Sequence, residues 1–277
     1  MPKMDVYGRA HELDPPTVDA IAARLEARRE SPRYMRMLHD YLDEIDLASA
    51  HDVLALGAGT GVEVRELVRR PGFSGRVTAL EISERLVEIG RRKAEEEGVA
   101  DRITWRIGDA QALNLSDASF DLVTAHTLIS HVDDPERVLE EARRVLRPGG
   151  TLVVFDGDYA TLTFGTENPD EGRAWDERII RTIVAHPRVM RSLPRNLRRL
   201  GLELVAARAH AFSEIGKADF FLGSLRSFQV LLPKAGAATA EEVEAFVADQ
   251  LRASDEGAFF ANYNFVTCIA RRPDRGA

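Results

Sequence analysis

Apolar positions along the chain switch between two periods, and the switches map its elements. Short, near-continuous apolar runs stand at residues 52–56, 76–81, 103–107, 120–125 and 151–156, the pattern of strands buried on both faces. Longer stretches of helical period lie between them. The clearest is 135–146, where Val138, Leu139, Ala142, Val145 and Leu146 share one face, Asp134 stands at the cap, Pro135 takes the first turn and Pro148-Gly149-Gly150 closes the segment. This alternation predicts βαβ units on a parallel sheet. Upstream, 17–47 reads as two helices. Val18, Ile21, Ala22 and Leu25 share a face of the first, and Tyr34, Met37, Leu38, Tyr41 and Leu42 a face of the second, which Ser31-Pro32 begins.

Past Asp158 the alternation breaks. Residues 161–170 are polar and turn-rich, helices are expected over 171–184, 187–200, 218–232 and 240–253, and strands over 202–212 and 259–271. The added helices read as a cap over the sheet, where specificity residues sit when a site is grafted onto a common scaffold. The expected division is a helical segment over 1–50, a sheet core over 51–158, and the remaining strands with cap insertions over 159–277, all one unit. The last residues, 271–277, read as a frayed tail.

One segment carries candidate chemistry. In Val53-Leu54-Ala55-Leu56-Gly57-Ala58-Gly59-Thr60-Gly61, three alternate glycines follow a buried strand, so the chain can turn sharply into a helix and let a ligand approach bare backbone. A dinucleotide fingerprint would place its third glycine where Val62 stands. The G-x-G-x-G spacing instead resembles the first motif of class I S-adenosylmethionine (SAM) dependent methyltransferases. That resemblance is strong over 52–156. Val132-Asp133-Asp134-Pro135 and Arg144-Val145-Leu146-Arg147-Pro148-Gly149-Gly150 are similar to the branch that methylates quinones and other small molecules.

The resemblance implies a Rossmann-like, seven-stranded, mostly parallel α/β sheet with helical additions at the amino terminus and in the cap. It also implies SAM as cofactor, S-adenosylhomocysteine as product, and a site at the carboxyl ends of the strands. Gly57, Ala58, Gly59 and Gly61 would form its loop. Glu81, at the end of the second strand, would accept from the ribose hydroxyls, and Asp109, in Gly108-Asp109-Ala110, would meet the adenine amine while the amide of Ala110 meets a ring nitrogen. Ile82 and Ala125 would supply apolar contacts. Ala55 departs from the family pattern, because many relatives carry an acidic residue there.

Methyl transfer is a direct displacement, so alignment can supply most of the acceleration, and a base matters only where the acceptor loses a proton. His126, after the fourth strand, is the first candidate for such a base; Asp158 and Tyr159, after the fifth, are candidates for orienting an acceptor. His131 reads as structural. Phe220, Phe221, Leu222 and Leu225 suggest either an apolar or aromatic acceptor or a packed lid. The arginines at 188, 191, 195, 198 and 199 read as a solvated helix face.

Composition narrows the alternatives. A formal charge of -8 argues against a nucleic-acid partner, which rewards a basic face. No apolar run reaches the length of a membrane span, and residues 1–16 lack the apolar core of a signal peptide, so a cytoplasmic protein is expected. Seven histidines without ligand spacing and one cysteine, Cys268, give no metal site and no internal disulfide. The leading expectation is methyl transfer to a small molecule, with oxygen preferred over nitrogen or carbon. A non-methylating cyclase or rearrangement enzyme that keeps SAM, and an NAD-dependent oxidoreductase, stay as alternatives, and a homodimer is left open.

Overall fold

The computed structural model describes residue 5 and residues 7–274. The end of the expected tail, 275–277, and part of the segment read for a leader, 1–4 and 6, lie outside them. Seven strands form one sheet: β1 (Asp52–Leu56), β2 (Arg76–Glu81), β3 (Ile103–Ile107), β4 (Phe120–His126), β5 (Leu146–Phe164), β6 (Glu203–Gly216) and β7 (Phe259–Arg271). Their order is β3-β2-β1-β4-β5-β7-β6. The first five are parallel, and β7 runs antiparallel to both β5 and β6. This is the expected seven-stranded, mostly parallel α/β sheet.

Alternation along the central strands divides the core in two. On β1, Val53 and Ala55 face one hydrophobic layer and Leu54 and Leu56 the other, so both faces are dry and the strand reads as a continuous apolar run. The first layer takes α2 (Pro32–Glu44) and α3 (Val62–Leu67). The second takes α5 (Pro135–Val145) and α7 (Val189–Arg199). Starts are where polar caps and prolines put them: Ser31 accepts from the Tyr34 amide with Pro32 behind it, and Asp134 from the Arg137 amide at 3.0 Å with Pro135 next. Outside the sheet, α1 (Pro15–Ala27) lays Val18, Ile21 and Ala22 on Leu86 and Ile89 of α4 (Glu84–Glu96). Fully buried Arg65 of α3 reaches Glu26 of α1 at 2.8 Å, tying the amino-terminal helices to the body.

The structure corrects the sequence reading after the fifth strand. β5 does not stop at 156 but runs to Phe164, because β7 continues beside it past a register shift between Asp158 and Thr163. Tertiary pairing thus overrides the polar, turn-like composition of 161–164. The tail is also partly tied: the Arg272 amide donates to the Gly150 carbonyl at 2.9 Å and Gly149 donates to Arg272 at 2.8 Å. The cap consists of α6 (Pro169–Ile183), α8 (Phe220–Lys234) and α9 (Ala240–Asp255), the last opened by a capping box between Thr239 and Glu242. No helix among the described residues is long and apolar enough to cross a membrane.

Trp105 on β3 packs where two glycines leave room. A Cβ at Gly90, inside α4, would come within 2.2 Å of the indole, and one at Gly61, which has φ +81°, within 2.6 Å. Helix propensity alone would make Gly90→Ala stabilising by about 1 kcal/mol, whereas crowding of a packed indole costs about 1–3 kcal/mol. The clash wins: Gly90→Ala is expected to lower the urea midpoint, and a raised midpoint would show that the indole moves aside freely.

Candidate functional site

The carboxyl ends of β1, β2 and β4 open into a cavity of about 540 Å³, roofed by residues 7–12, α1 and the turn 28–30. Its size lies within the range of small-molecule sites. Gly57, Ala58, Gly59, Glu81, Ile82, Asp109 and Ala110 all border it. The glycine loop is held open by backbone bonds: Ala58 donates to the Leu80 carbonyl at 2.9 Å, and Gly61 to Ala58 at 2.8 Å.

Glu81 is the anchor of this wall. Only 7% exposed, it accepts from the Gly59 amide at 2.8 Å through one oxygen and from the Ser83 amide at 3.0 Å through the other. A carboxylate offers about four acceptor positions, so both oxygens keep capacity for a pair of vicinal hydroxyls. Burial pushes its carboxyl above the ordinary range, against the amide bonds that favour the charge. Asp109 borders the cavity and accepts locally from the Gln111 amide at 2.8 Å and the Gln111 side chain at 3.1 Å. Two expected contacts fall outside the lining. Gly61 turns into α3 against Trp105, and Ala125 is buried in the layer under α5.

The acceptor side differs more from expectation. His126 borders the cavity, but both ring nitrogens are taken: Nε2 lies 2.8 Å from the Tyr34 hydroxyl and Nδ1 2.9 Å from the Tyr41 hydroxyl. The ring stacks on Phe155 at 4.6 Å. Burial, with the Arg28 charge adding, depresses its pKa to about 3, so the imidazole stays neutral. Asp158 and Tyr159 do not reach the cavity, because β5 continues through them. Asp158 pairs with Arg191 at 2.8 Å, and the buried Tyr159 hydroxyl lies 3.0 Å from His131 Nε2. The other His131 nitrogen meets Asp5 at 2.9 Å. Burial opposes charge on that ring, but Asp5 more than offsets it and raises its pKa, and the ring borders the cavity. Phe220, Phe221 and Leu225 are core residues, and none of them, nor Leu222, lines the cavity.

Several residues here carried no signal in the sequence. Arg28 borders the cavity, donates to the Thr127 hydroxyl at 3.1 Å and the Tyr34 hydroxyl at 3.3 Å, and keeps a buried Nε without a partner. Thr127 holds φ +53°, a costly conformation for a β-branched residue, and is fixed there by Arg28 and by its amide's 2.6 Å bond to the Phe155 carbonyl. Glu63 of α3 borders the cavity and accepts from Tyr41 at 3.0 Å. Burial raises its pKa to about 7.

Residues 54–154 match the protein family described as "Methyltransferase domain". They are a methyltransferase domain of the class I, SAM-dependent type. The chain is 38% identical over 109 residues to the ubiquinone/menaquinone biosynthesis C-methyltransferase UbiE of Hydrogenovibrio crunogenus, covering 39% of this chain and 43% of that one. It spans about half the length of the curated relatives it matches. Among solved structures, a putative methyltransferase of Bacillus halodurans superposes with a TM-score of 0.59 at 20% identity, covering 85% of this chain and 98% of the other. The [4+2]-cyclase SpnF superposes at 0.56 and 20%, covering 87% and 82%. The class I fold and the family's cofactor, SAM, agree with the cavity's wall: a buried carboxylate at Glu81, a second carboxylate at Asp109, and a bare loop at Gly59, where a Cβ would meet Leu25 at 3.0 Å.

The raised pKa of Glu63 predicts a pH-dependent cost. In the folded protein this group binds its proton up to about pH 7, whereas unfolded it releases it near 4.5. Its contribution to stability is therefore full below 4.5 and lost as pH rises through 7, by about 3 kcal/mol if the whole shift is expressed. Glu63→Gln is expected to match wild type in urea denaturation at low pH and to exceed it at about pH 8. Equal stability at both would show that Glu63 is solvated.

Proposed function

We propose that the chain transfers a methyl group from SAM to a small-molecule acceptor, with a hydroxyl oxygen as the acceptor atom. Glu81 carries the reading: a buried carboxylate at the end of β2, fixed by the Gly59 and Ser83 amides and bordering the cavity, suits a ribose diol and little else in this fold. With the sugar there, Asp109 and Ala110 lie where an adenine amine and ring nitrogen would be read, and Ile82 supplies an apolar wall. Bound SAM supplies an electrophilic methyl on a sulfonium.

The protein's own part is orientation and exclusion of water. Residues 7–12, α1 and Arg28 roof the cavity, so reactants held beneath them are aligned for displacement, an effect worth up to about 7–11 kcal/mol in favourable cases. The preference for oxygen rests on Tyr34 and His126, a hydrogen-bonded pair at the cavity wall that suits an acceptor losing its proton. UbiE is named as a C-methyltransferase, which makes carbon the competing atom; the likeness to SpnF shows fold alone.

Titration calorimetry tests the cofactor reading. S-adenosylhomocysteine is expected to bind, and Glu81→Ala to weaken it about 10- to 100-fold, the value of one or two hydrogen bonds to a charged group. Unchanged affinity in a folded Glu81→Ala protein, or no binding by wild type, would overturn it. Turnover of an acceptor without release of S-adenosylhomocysteine would assign the fold to rearrangement chemistry instead.

A further inference from the structure

Five side chains from four separate segments form one continuous run of hydrogen bonds across the cavity floor, with a side branch from Arg28 to Thr127: Arg28 to Tyr34 at 3.3 Å, Tyr34 to His126 Nε2 at 2.8 Å, His126 Nδ1 to Tyr41 at 2.9 Å, and Tyr41 to Glu63 at 3.0 Å. Chemistry fixes its direction. Arg28 can only donate and an ionised Glu63 can only accept. Tyr41 therefore gives its one proton to Glu63 and accepts from His126 Nδ1–H. The neutral imidazole is left with a bare Nε2, which accepts from the Tyr34 hydroxyl, while the Tyr34 oxygen accepts from Arg28.

We propose that this chain is a proton relay ending on Glu63: a proton given up by an acceptor at the Tyr34 oxygen is stored on the Glu63 carboxylate, and His126 passes it by changing tautomer without becoming charged. The proposal deepens the transfer reading and rests on it.

Each link reverses once. The acceptor's proton goes to the Tyr34 oxygen, the Tyr34 proton to Nε2, the Nδ1 proton to the Tyr41 oxygen, and the Tyr41 proton to Glu63. At the same time the acceptor's oxygen forms a bond to the methyl carbon, the sulfur–methyl bond breaks and its electron pair stays on sulfur, giving S-adenosylhomocysteine, the methyl ether and a neutral Glu63. Storage at the far end of the chain suits the two environments. His126 resists a proton until about pH 3, whereas Glu63 holds one up to about 7, near the value most effective for a base at neutral pH. The titratable or charged groups around the pair are Tyr34 and Tyr41 from α2 and Arg28 from the turn before it; Phe155 of β5 covers the imidazole face without charge.

Histidine 15N NMR of the ligand-free protein reads the relay directly, with the His126 signals assigned by their loss in His126→Gln. Above Glu63's midpoint, at about pH 8, wild type is expected to show the Nδ1–H tautomer, and at about pH 5.5 the Nε2–H tautomer, with the ring neutral in both. Tyr41→Phe cuts the link to Glu63 and is expected to abolish the switch, as is Glu63→Gln, which cannot titrate. A tautomer indifferent to pH in wild type, an imidazolium at about pH 5.5, or a wild-type switch in either variant would overturn the proposal. S-adenosylhomocysteine binding in the same samples reports separately on the transfer reading, because the switch needs no ligand.

Discussion

The carboxylate of Glu81 is the constraint on which the cleft depends. It joins the loop after β1 to the turn after β2 through one amide from each, so the position of bare backbone at Gly59 and the position of the negative charge are set together. Neither could be moved alone. A loop that drifted would strand a buried carboxylate, at a cost of several kcal/mol. A missing carboxylate would leave the Gly59 amide without its 2.8 Å partner. The parallel register of β2 with β3 and of β1 with β4 carries this geometry outward, bringing the Asp109 loop and the His126 end of β4 to the same cavity.

What was legible in the sequence is what local chemistry determines. Apolar runs gave all seven strands, and the alternate glycines and strand-end acids gave the wall of the cavity. Caps marked the starts of α2 and α5 because a side chain there bonds an amide only three residues away. The misplaced end of β5 has the opposite origin: Thr161 and Thr163 look like loop residues until β7, about a hundred positions later, is beside them. Asp158 and Tyr159 were expected past a strand end for that reason, and the strand carries them away from the cavity.

Tyr34 and Tyr41 show why the acceptor side was harder. They are seven residues apart, two helical turns, and so share one face. That face reads as apolar in the sequence, and it is: both rings are buried with Met37, Leu38 and Leu42. Their hydroxyls nonetheless meet opposite nitrogens of one imidazole, a relation that involves residue 126 and leaves no mark on the period. Glu63 and Arg28 were likewise invisible, since a carboxylate on a short helix and an arginine between two helices are ordinary solvent-facing residues until the fold encloses them.

The roof also has a history in time. Its segment leaves the ribosome before the sheet does, yet Arg28 waits for Thr127, 99 positions on, and Arg24 for Ser224, 200 positions on. Contacts so distant in sequence close slowly. During synthesis the apolar face of α2 therefore stands uncovered until β5 and β7 bring Phe155 and Phe265 against Tyr34, and the enclosed cleft is among the last parts of the molecule to take shape.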